Sequence, residues 1–137
     1  MTSPAPPPPE PDWRFFRENV DIRDVLVAEI DSTVAGYVRM SQPSPIPAGD
    51  HVLMISGLAV DPAFQRRGVG RALIDAAAEE ARARGARRLR LRVLSHNTAA
   101  MRLYESTGFV VEGVLRGEFF LDGVYRDDVL MVIDLTA

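Results

Sequence analysis

The fold is decided by the stretch Leu58-Ala-Val-Asp-Pro-Ala-Phe-Gln-Arg-Arg-Gly-Val-Gly-Arg-Ala-Leu73. Its apolar start ends at Asp61-Pro62, a pair that stops a strand and begins a turn. After Gly68 and Gly70, apolar residues recur at every third or fourth position, which predicts an amphipathic helix. The stretch is therefore a strand, a loop that contains glycines, and the N-terminus of a helix.

This order of elements offers an anion site that needs no side chain. The first N–H groups of a helix lack intrahelical partners and lie at the positive end of its dipole. Glycines let a backbone approach a phosphate closely, and Arg66, Arg67 and Arg71 add positive charge. The loop lacks the Gly-Lys-Ser/Thr of a P-loop, and Leu73 replaces the third glycine of a dinucleotide fingerprint. A plain strand-to-helix turn with surface arginines is the alternative interpretation.

Two segments resemble the GNAT superfamily of N-acetyltransferases. Gln65-Arg-Arg-Gly-Val-Gly70 is similar to its Gln/Arg-x-x-Gly-x-Gly/Ala signature, which holds the pyrophosphate of acetyl-coenzyme A (acetyl-CoA). Asn97-Thr-Ala-Ala-Met-Arg-Leu-Tyr-Glu-Ser-Thr-Gly-Phe109 is similar to its Asn-x-x-Ala-x-x-x-Tyr-x-x-x-Gly-Phe. The resemblance extends from Val25 to Leu135. It implies one acetyl-CoA-binding N-acetyltransferase domain over residues 13–137.

The resemblance also implies roles for individual residues. Leu58 and Val60 would pair their backbone with the pantetheine amides of acetyl-CoA, and one of their N–H groups would bind the developing oxyanion. Asn97 would hydrogen-bond the pantetheine arm, and the Tyr104 hydroxyl would point at the sulfur. The implied cofactor-binding residues are Leu58, Ala59, Val60, Gln65, Arg66, Arg67, Gly68, Val69, Gly70, Arg71, Asn97 and Tyr104. A packing tyrosine whose hydroxyl is already hydrogen-bonded is the alternative for Tyr104.

The implied reaction is direct acetyl transfer to a primary amine of a small molecule or a peptide N-terminus. Proximity would supply most of the rate, and a donor to the oxyanion part of the rest. A thiol has a pKa of about 8.5 and a phenol about 10. We therefore expect Tyr104 to hydrogen-bond the leaving thiolate more than to protonate it.

The general base is where this chain departs from the family. Many relatives carry a glutamate on the strand before Leu-Ala-Val, where this chain has Met54-Ile-Ser-Gly57. If Asp122-Gly123 is a two-residue hairpin turn, Glu118 and Asp127 face each other. Such like charges repel, so one carboxylate would bind a proton more readily and accept it from the amine. A bulge or a nearby arginine is the structural alternative, and weak-base chemistry would favour an amine of low pKa.

Composition narrows the classes of function. The chain of 137 residues suits one domain, and with no cysteine and two histidines it offers no disulfide or convincing metal cluster. No run is apolar enough for a membrane span or a signal peptide, so we expect a cytoplasmic protein. All 16 basic residues are arginines, yet the net charge is -3. Because a nucleic-acid binder is usually net basic, a small anionic ligand is the better expectation. A non-catalytic acyl-CoA sensor and an arginine-rich nucleic-acid binder are the alternative functions.

The pattern predicts an α/β (α+β) fold, with a mixed central β-sheet flanked by helices and a shortened N-terminal part. Strands are predicted at 24–30, 34–40, 51–60, 87–94, 109–121 and 124–135, and helices at 68–84 and 98–106. The alternating arginines of 87–94 suit a solvated face better than an anion site. Residues 1–12, rich in proline, predict a disordered tail. An open sheet edge would need covering by this tail or a second subunit, so a homodimer is a further expectation.

Overall fold

The computed structural model describes residues 24–136, which form a six-stranded mixed sheet and two α-helices. The strands are β1 (Val25–Ile30), β2 (Thr33–Ser41), β3 (Val52–Val60), β4 (Arg88–Leu94), β5 (Val110–Leu121) and β6 (Val124–Asp134), and the helices are α1 (Val69–Ala83) and α2 (Thr98–Ser106). The strand order is β1-β2-β3-β4-β6-β5. The predicted mixed sheet is confirmed, and every predicted boundary lies within one residue of the observed one. The expectations for residues 1–17 lie outside the described residues.

The connections explain the direction of each strand. α1 crosses from β3 to β4, and these two strands are parallel, as a helical crossover requires. The other neighbouring strands are antiparallel. Asp122 and Gly123 have φ values of 51° and 78°, as both central residues of a type I′ turn must. The predicted two-residue hairpin between β5 and β6 is therefore confirmed.

One hydrophobic core lies between the sheet and the helices. Its members from α1 and β4 are Val69, Leu73, Ile74, Ala77, Ala78, Ala81, Leu89, Leu91 and Val93. Because side chains alternate along a strand, Arg88, Arg90 and Arg92 of β4 lie on the opposite side of the sheet, which we call the arginine face. The predicted alternation of β4 is confirmed.

Local caps fix the helix ends. Gly85 has a φ of +86°, and the N–H groups of Gly85 and Ala86 donate to the carbonyls of Arg82 and Ala81 at 2.9 Å. This is a Schellman arrangement, which ends a helix at a left-handed glycine. At the start of α2, the Asn97 side chain accepts the Ala100 N–H at 3.2 Å.

A bulge in the β5–β6 hairpin corrects one prediction. The pairs Leu121–Val124, Phe120–Tyr125 and Phe119–Arg126 form as expected, but the next pair of the ladder is Leu115–Asp128. Residues 116–118 therefore lie opposite Asp127 alone, and the expected pairing of Glu118 with Asp127 is wrong. Gly117 adopts a φ of +60° and donates its N–H to Asp127 Oδ1 at 2.8 Å. This hydrogen bond satisfies a backbone group that the bulge removes from the ladder.

Different structural constraints favour glycine at positions 68 and 70. A Cβ on Gly68 would meet no atom within 4 Å, but its φ of +78° is left-handed and therefore favours glycine. Gly70 is different, because a Cβ there would lie 3.2 Å from Leu103 Cδ2 and 3.8 Å from Val60 Cγ2. Gly70 lets α1 pack closely against α2 and β3. The expectation that Gly70 also lets the backbone approach a phosphate stays a prediction.

We predict that replacing Asp127 with Ala lowers the free energy of unfolding by about 1 kcal/mol, since a hydrogen bond to a partly exposed backbone N–H is lost. Asp127→Asn keeps the Oδ1 acceptor and should stay within about 0.5 kcal/mol of the wild type. Urea unfolding of both variants measures the difference. Equal stability of the Ala variant and the wild type would show that this carboxylate does not hold the bulge.

We predict that Gly70→Val lowers the free energy of unfolding by about 1–3 kcal/mol, because the added methyl groups overpack the contact with Leu103. Leu103→Ala should relieve part of this loss when the two changes are combined. A double-mutant cycle in urea measures the coupling. Strict additivity would mean that the clash with Leu103 is not the cause.

Candidate active site

The loop between β3 and α1 forms a cradle of backbone N–H groups. Arg66 and Gly68 have left-handed φ values of +63° and +78°, and the residues around them do not. Left-handed residues in such a turn favour an arrangement in which successive N–H groups line one concave side, and we call this turn the nest. The N-cap Gly68 offers no side chain to the first turn of α1, and that turn has no acidic residue. The helix N-terminus therefore keeps its positive end open to a ligand.

The three arginines of this loop do different things. Arg71 Nη2 donates to the Ser106 carbonyl at 3.2 Å, which ties the start of α1 to the end of α2. The Arg67 guanidinium lies over the Phe64 ring, 5.5 Å from its centre, a cation–π arrangement. Arg66 is exposed. All three keep their positive charge beside the nest, and Gln65 lies exposed at its entrance.

A gap opens between β3 and β4 beside this cradle. The parallel pairs of the two strands run only to Met54–Arg90. Further along β3, the Asp61 N–H donates to a carbonyl of β2 at 2.8 Å. Hydrogen-bonded and non-hydrogen-bonded positions alternate in an antiparallel pair, so the backbone groups of Leu58 and Val60 point away from β2. They face the gap, where a ligand with amide groups would extend the sheet as a further strand.

Two predicted cofactor residues direct their backbone groups or their side chain away from the gap and the loop. Ala59 pairs with Tyr37, and the same alternation directs its backbone groups toward β2 rather than into the gap. Val69 is buried in the core and is 6% exposed, so only its backbone N–H is offered to the cradle. The geometry thus brings together the gap edge and the loop, but not the backbone of Ala59.

Tyr104 projects from α2 with a half-buried ring. It packs edge-on against Phe109, with ring centres 6.2 Å apart. Burial raises the pKa of the Tyr104 hydroxyl above its ordinary value of 10.0 because the charged phenolate is poorly solvated. Within residues 24–136, no hydrogen bond to this hydroxyl is formed. The Tyr104 hydroxyl therefore stays protonated and is available as a neutral hydrogen-bond donor.

The Asn97 side chain already makes one hydrogen bond within the fold. Its side-chain oxygen accepts the Ala100 N–H as the cap of α2. The remaining amide nitrogen is the part that could donate to a bound ligand. One residue can thus both start the helix that carries Tyr104 and contact the cofactor.

The arginines of β4 are neutralised by carboxylates. Arg88 forms an ion pair with Glu112, and Arg90 Nε lies 3.6 Å from the second oxygen of Glu112. Arg92 forms an ion pair with Asp128, which is 2% exposed. These pairs leave little free charge for a bound anion, in agreement with the preference against an anion site on this strand.

Arg39 is a residue that the sequence reasoning missed. It lies on β2 directly opposite Gly57 of β3. Its Nε atom is buried and has no hydrogen-bond partner. The only sequence signal is a charged residue in an otherwise apolar strand, and nothing in the sequence shows which carboxylates come near it.

Other kinds of site are absent from the described part of the chain. In residues 24–136, no group of three or more His, Asp or Glu side chains could hold a metal ion. No helix in this range is long and apolar enough to span a membrane. A cavity of about 540 Å³ lies at the far end of β3 and β4 from the gap, beside His51, Arg87 and Asp134.

Comparisons with known proteins agree with this geometry. Residues 1–109 match the acetyltransferase (GNAT) family. The [ribosomal protein bS18]-alanine N-acetyltransferase of Salmonella typhimurium is 38% identical over 79 residues, 58% of this chain and 53% of that protein. Streptothricin acetyltransferase of Streptomyces lavendulae is 33% identical over 97 residues, 71% of this chain and 49% of that protein. The matched segments thus span about half the length of these relatives.

A solved structure shares the fold. The yncA protein of Salmonella typhimurium, determined with acetyl-CoA, superposes with a TM-score of 0.76 at 28% identity, covering 82% of this chain and 65% of that one. The family match covers well over half of the chain. With its mixed sheet, its open β3–β4 gap and its N–H cradle, the chain belongs to the acetyltransferase (GNAT) family.

Proposed function

We propose that this protein transfers an acetyl group from acetyl-CoA to a primary amine. The observation that carries the proposal is the gap between β3 and β4, with the uncapped N-terminus of α1 beside it. A pantetheine arm has amide groups that need a strand partner, and its pyrophosphate needs an anion cradle. The edge of β3 at the gap offers backbone groups for the amides, and the β3–α1 loop offers N–H groups for the pyrophosphate.

Each part of the chain would meet a different part of acetyl-CoA. The nest at Arg66–Gly68 and the first N–H groups of α1 fit the pyrophosphate, with the loop arginines adding charge. The backbone of Leu58 and Val60 fits the pantetheine amides. Asn97 caps the start of α2 and Tyr104 lies in its last turn, so they suit the arm and the sulfur. Ala59 has no backbone group for this role, and we leave it out.

The reaction follows from these positions. The amine nitrogen attacks the thioester carbonyl carbon, the C–S bond breaks, and the amine loses a proton. A backbone N–H at the gap edge would stabilise the oxyanion. The raised pKa of Tyr104 makes it a weaker acid than free tyrosine, so it would stabilise the leaving thiolate as a hydrogen-bond donor.

The proton from the amine has no obvious carboxylate acceptor. Glu118 and Asp127 were the sequence-based candidates, but their pairing is wrong and Asp127 already accepts the Gly117 N–H. We propose that water in the gap takes the proton. An amine that is already largely neutral then reacts best, because less free energy is needed to deprotonate it.

One relative is named for a ribosomal protein and the other for streptothricin, so protein and small-molecule acceptors both occur among relatives. We propose a soluble acceptor that reaches the gap. We also propose that the protein forms a homodimer, which gel filtration can test.

We predict that coenzyme A raises the melting temperature of the protein, since a ligand of the folded state stabilises it. Gly68→Val should remove the shift, because a β-branched residue cannot keep the left-handed conformation of the nest. Gly85→Val is the matched control, since Gly85 also has a positive φ and open space around its Cβ but lies at the other end of α1.

Both valine variants should melt at a lower temperature than the wild type. Only Gly68→Val should lose the shift that coenzyme A causes, as measured by differential scanning fluorimetry. Equal shifts in the two variants would remove the loop from the cofactor site.

We predict that Tyr104→Phe lowers kcat by about 10- to 100-fold, the low end of general-acid effects, because a hydrogen bond to the leaving thiolate is lost. KM for acetyl-CoA should change less than about twofold, since the ring and its packing remain. Release of coenzyme A thiol measures both constants. A rise in KM with an unchanged kcat would mean that Tyr104 only positions the cofactor.

A further inference from the structure

Arg39 is a half-buried arginine of β2. Its Nε atom, like that of Arg90, is buried without a hydrogen-bond partner, but Arg90 has Glu112 beside it, whereas no ion pair of Arg39 forms within residues 24–136. On β4, Arg88 and Arg92 are paired with carboxylates of β5 and β6. A buried N–H group without an acceptor costs free energy, even where the rest of the guanidinium reaches water. A ligand that carries a negative charge would remove this cost.

The position of Arg39 connects it to the gap. A Cβ on Gly57 would lie 3.6 Å from Arg39 Cβ and 3.7 Å from Tyr37 Cε2. Arg39 and Tyr37 therefore lie on the same side of the sheet as the vacant side-chain position of Gly57. That side is the arginine face, since Leu58 packs against the core on the other side. Gly57 also immediately precedes Leu58, the first residue whose backbone groups face the gap.

The two faces of the sheet would receive different substrates. α1 and Tyr104 lie on the helix-covered face, so acetyl-CoA would occupy the gap from that side. The acceptor amine must then reach the thioester carbon from the arginine face. At Gly57 the absence of a side chain leaves space for it, and Arg39 borders this space.

We propose that Arg39 binds a carboxylate of the acceptor, and that the acceptor is a small molecule of the amino-acid class, with its amine close to this carboxylate. The inference rests on the proposed acetyl transfer and names its substrate class. A guanidinium binds a carboxylate through two parallel hydrogen bonds, which fixes the orientation of the bound molecule. A peptide N-terminus has an uncharged amide at the same place and cannot form this pair.

The pairing also helps the chemistry of a site without a strong base. The carboxylate of a free amino acid holds its neighbouring ammonium group in the charged form. An ion pair with Arg39 offsets that negative charge, so the bound amine loses its proton more easily. Arg39 is therefore a specificity residue that also acts on the protonation of the acceptor.

The experiment compares each free amino acid with its own amide as acceptor, by release of coenzyme A thiol. For the wild type, kcat/KM should be about 10- to 100-fold higher for the best amino acid than for its amide, the range of one charge-assisted pair. Arg39→Gln should remove this preference by lowering kcat/KM for the amino acid only. Arg39→Lys should restore part of it, because the charge returns without the bidentate geometry.

Arg88→Gln is the matched control, since Arg88 lies on the same face but is already paired with Glu112. It should keep the preference. The shift of the melting temperature with coenzyme A shows whether each variant is folded. Equal rates with acid and amide in the wild type would overturn the inference and leave acetyl transfer standing. Binding of acetyl-CoA with no transfer to any amine would overturn both proposals.

Discussion

The separation of β3 from β4 beyond Met54–Arg90 is the constraint on which the rest of the structure depends. A strand inside a sheet normally satisfies its backbone groups on both sides, and a buried group without a partner is costly. Here the end of β3 pairs only with β2. The helices hold this arrangement from one face, through the contact of Gly70 with Leu103 and the bond from Arg71 to Ser106. The gap is thus built into the packing.

The distribution of carboxylates decides which arginines are available to ligands. The chain has 19 acidic residues and 16 arginines. Positive charge without a partner is therefore confined to particular parts of the structure. Glu112 and Asp128 neutralise β4, and the first turn of α1 has no acid. Within residues 24–136, neither Arg39 nor the arginines of the β3–α1 loop form an ion pair. Two features that look alike in the sequence, the arginines of β4 and those of the loop, therefore differ in whether a carboxylate of residues 24–136 is paired with them.

Local signals allowed most of the fold to be predicted from the sequence. Gly85 ends a helix, Asp122-Gly123 makes a type I′ turn and Asn97 caps α2, and each acts through neighbouring residues only. A bulge was the structural alternative to the Glu118–Asp127 pair and is confirmed, but its place at 116–118 could not be predicted, because it depends on a bond from a backbone N–H to a side chain ten residues away.

The site was only partly predictable for the same reason. The motif identified the loop, but the packing role of Gly70 depends on Leu103 in another helix. Arg39 was not identified because its lack of an ion pair within residues 24–136 is a property of the assembled sheet. Residues whose role depends on distant neighbours are those that the sequence reasoning missed.

The acid and base requirements of the reaction fit this site when they are considered together. Burial raises the pKa of Tyr104, so its hydroxyl keeps its proton to a higher pH than free tyrosine and donates throughout the neutral range. No carboxylate of β3 stands ready to accept the proton of the amine. A site with a weak acid and no strong base depends on orientation and on the protonation of its substrate. The proposed pairing of Arg39 with the carboxylate of the acceptor would contribute to both, from the strand that adjoins β3 on the side away from the gap.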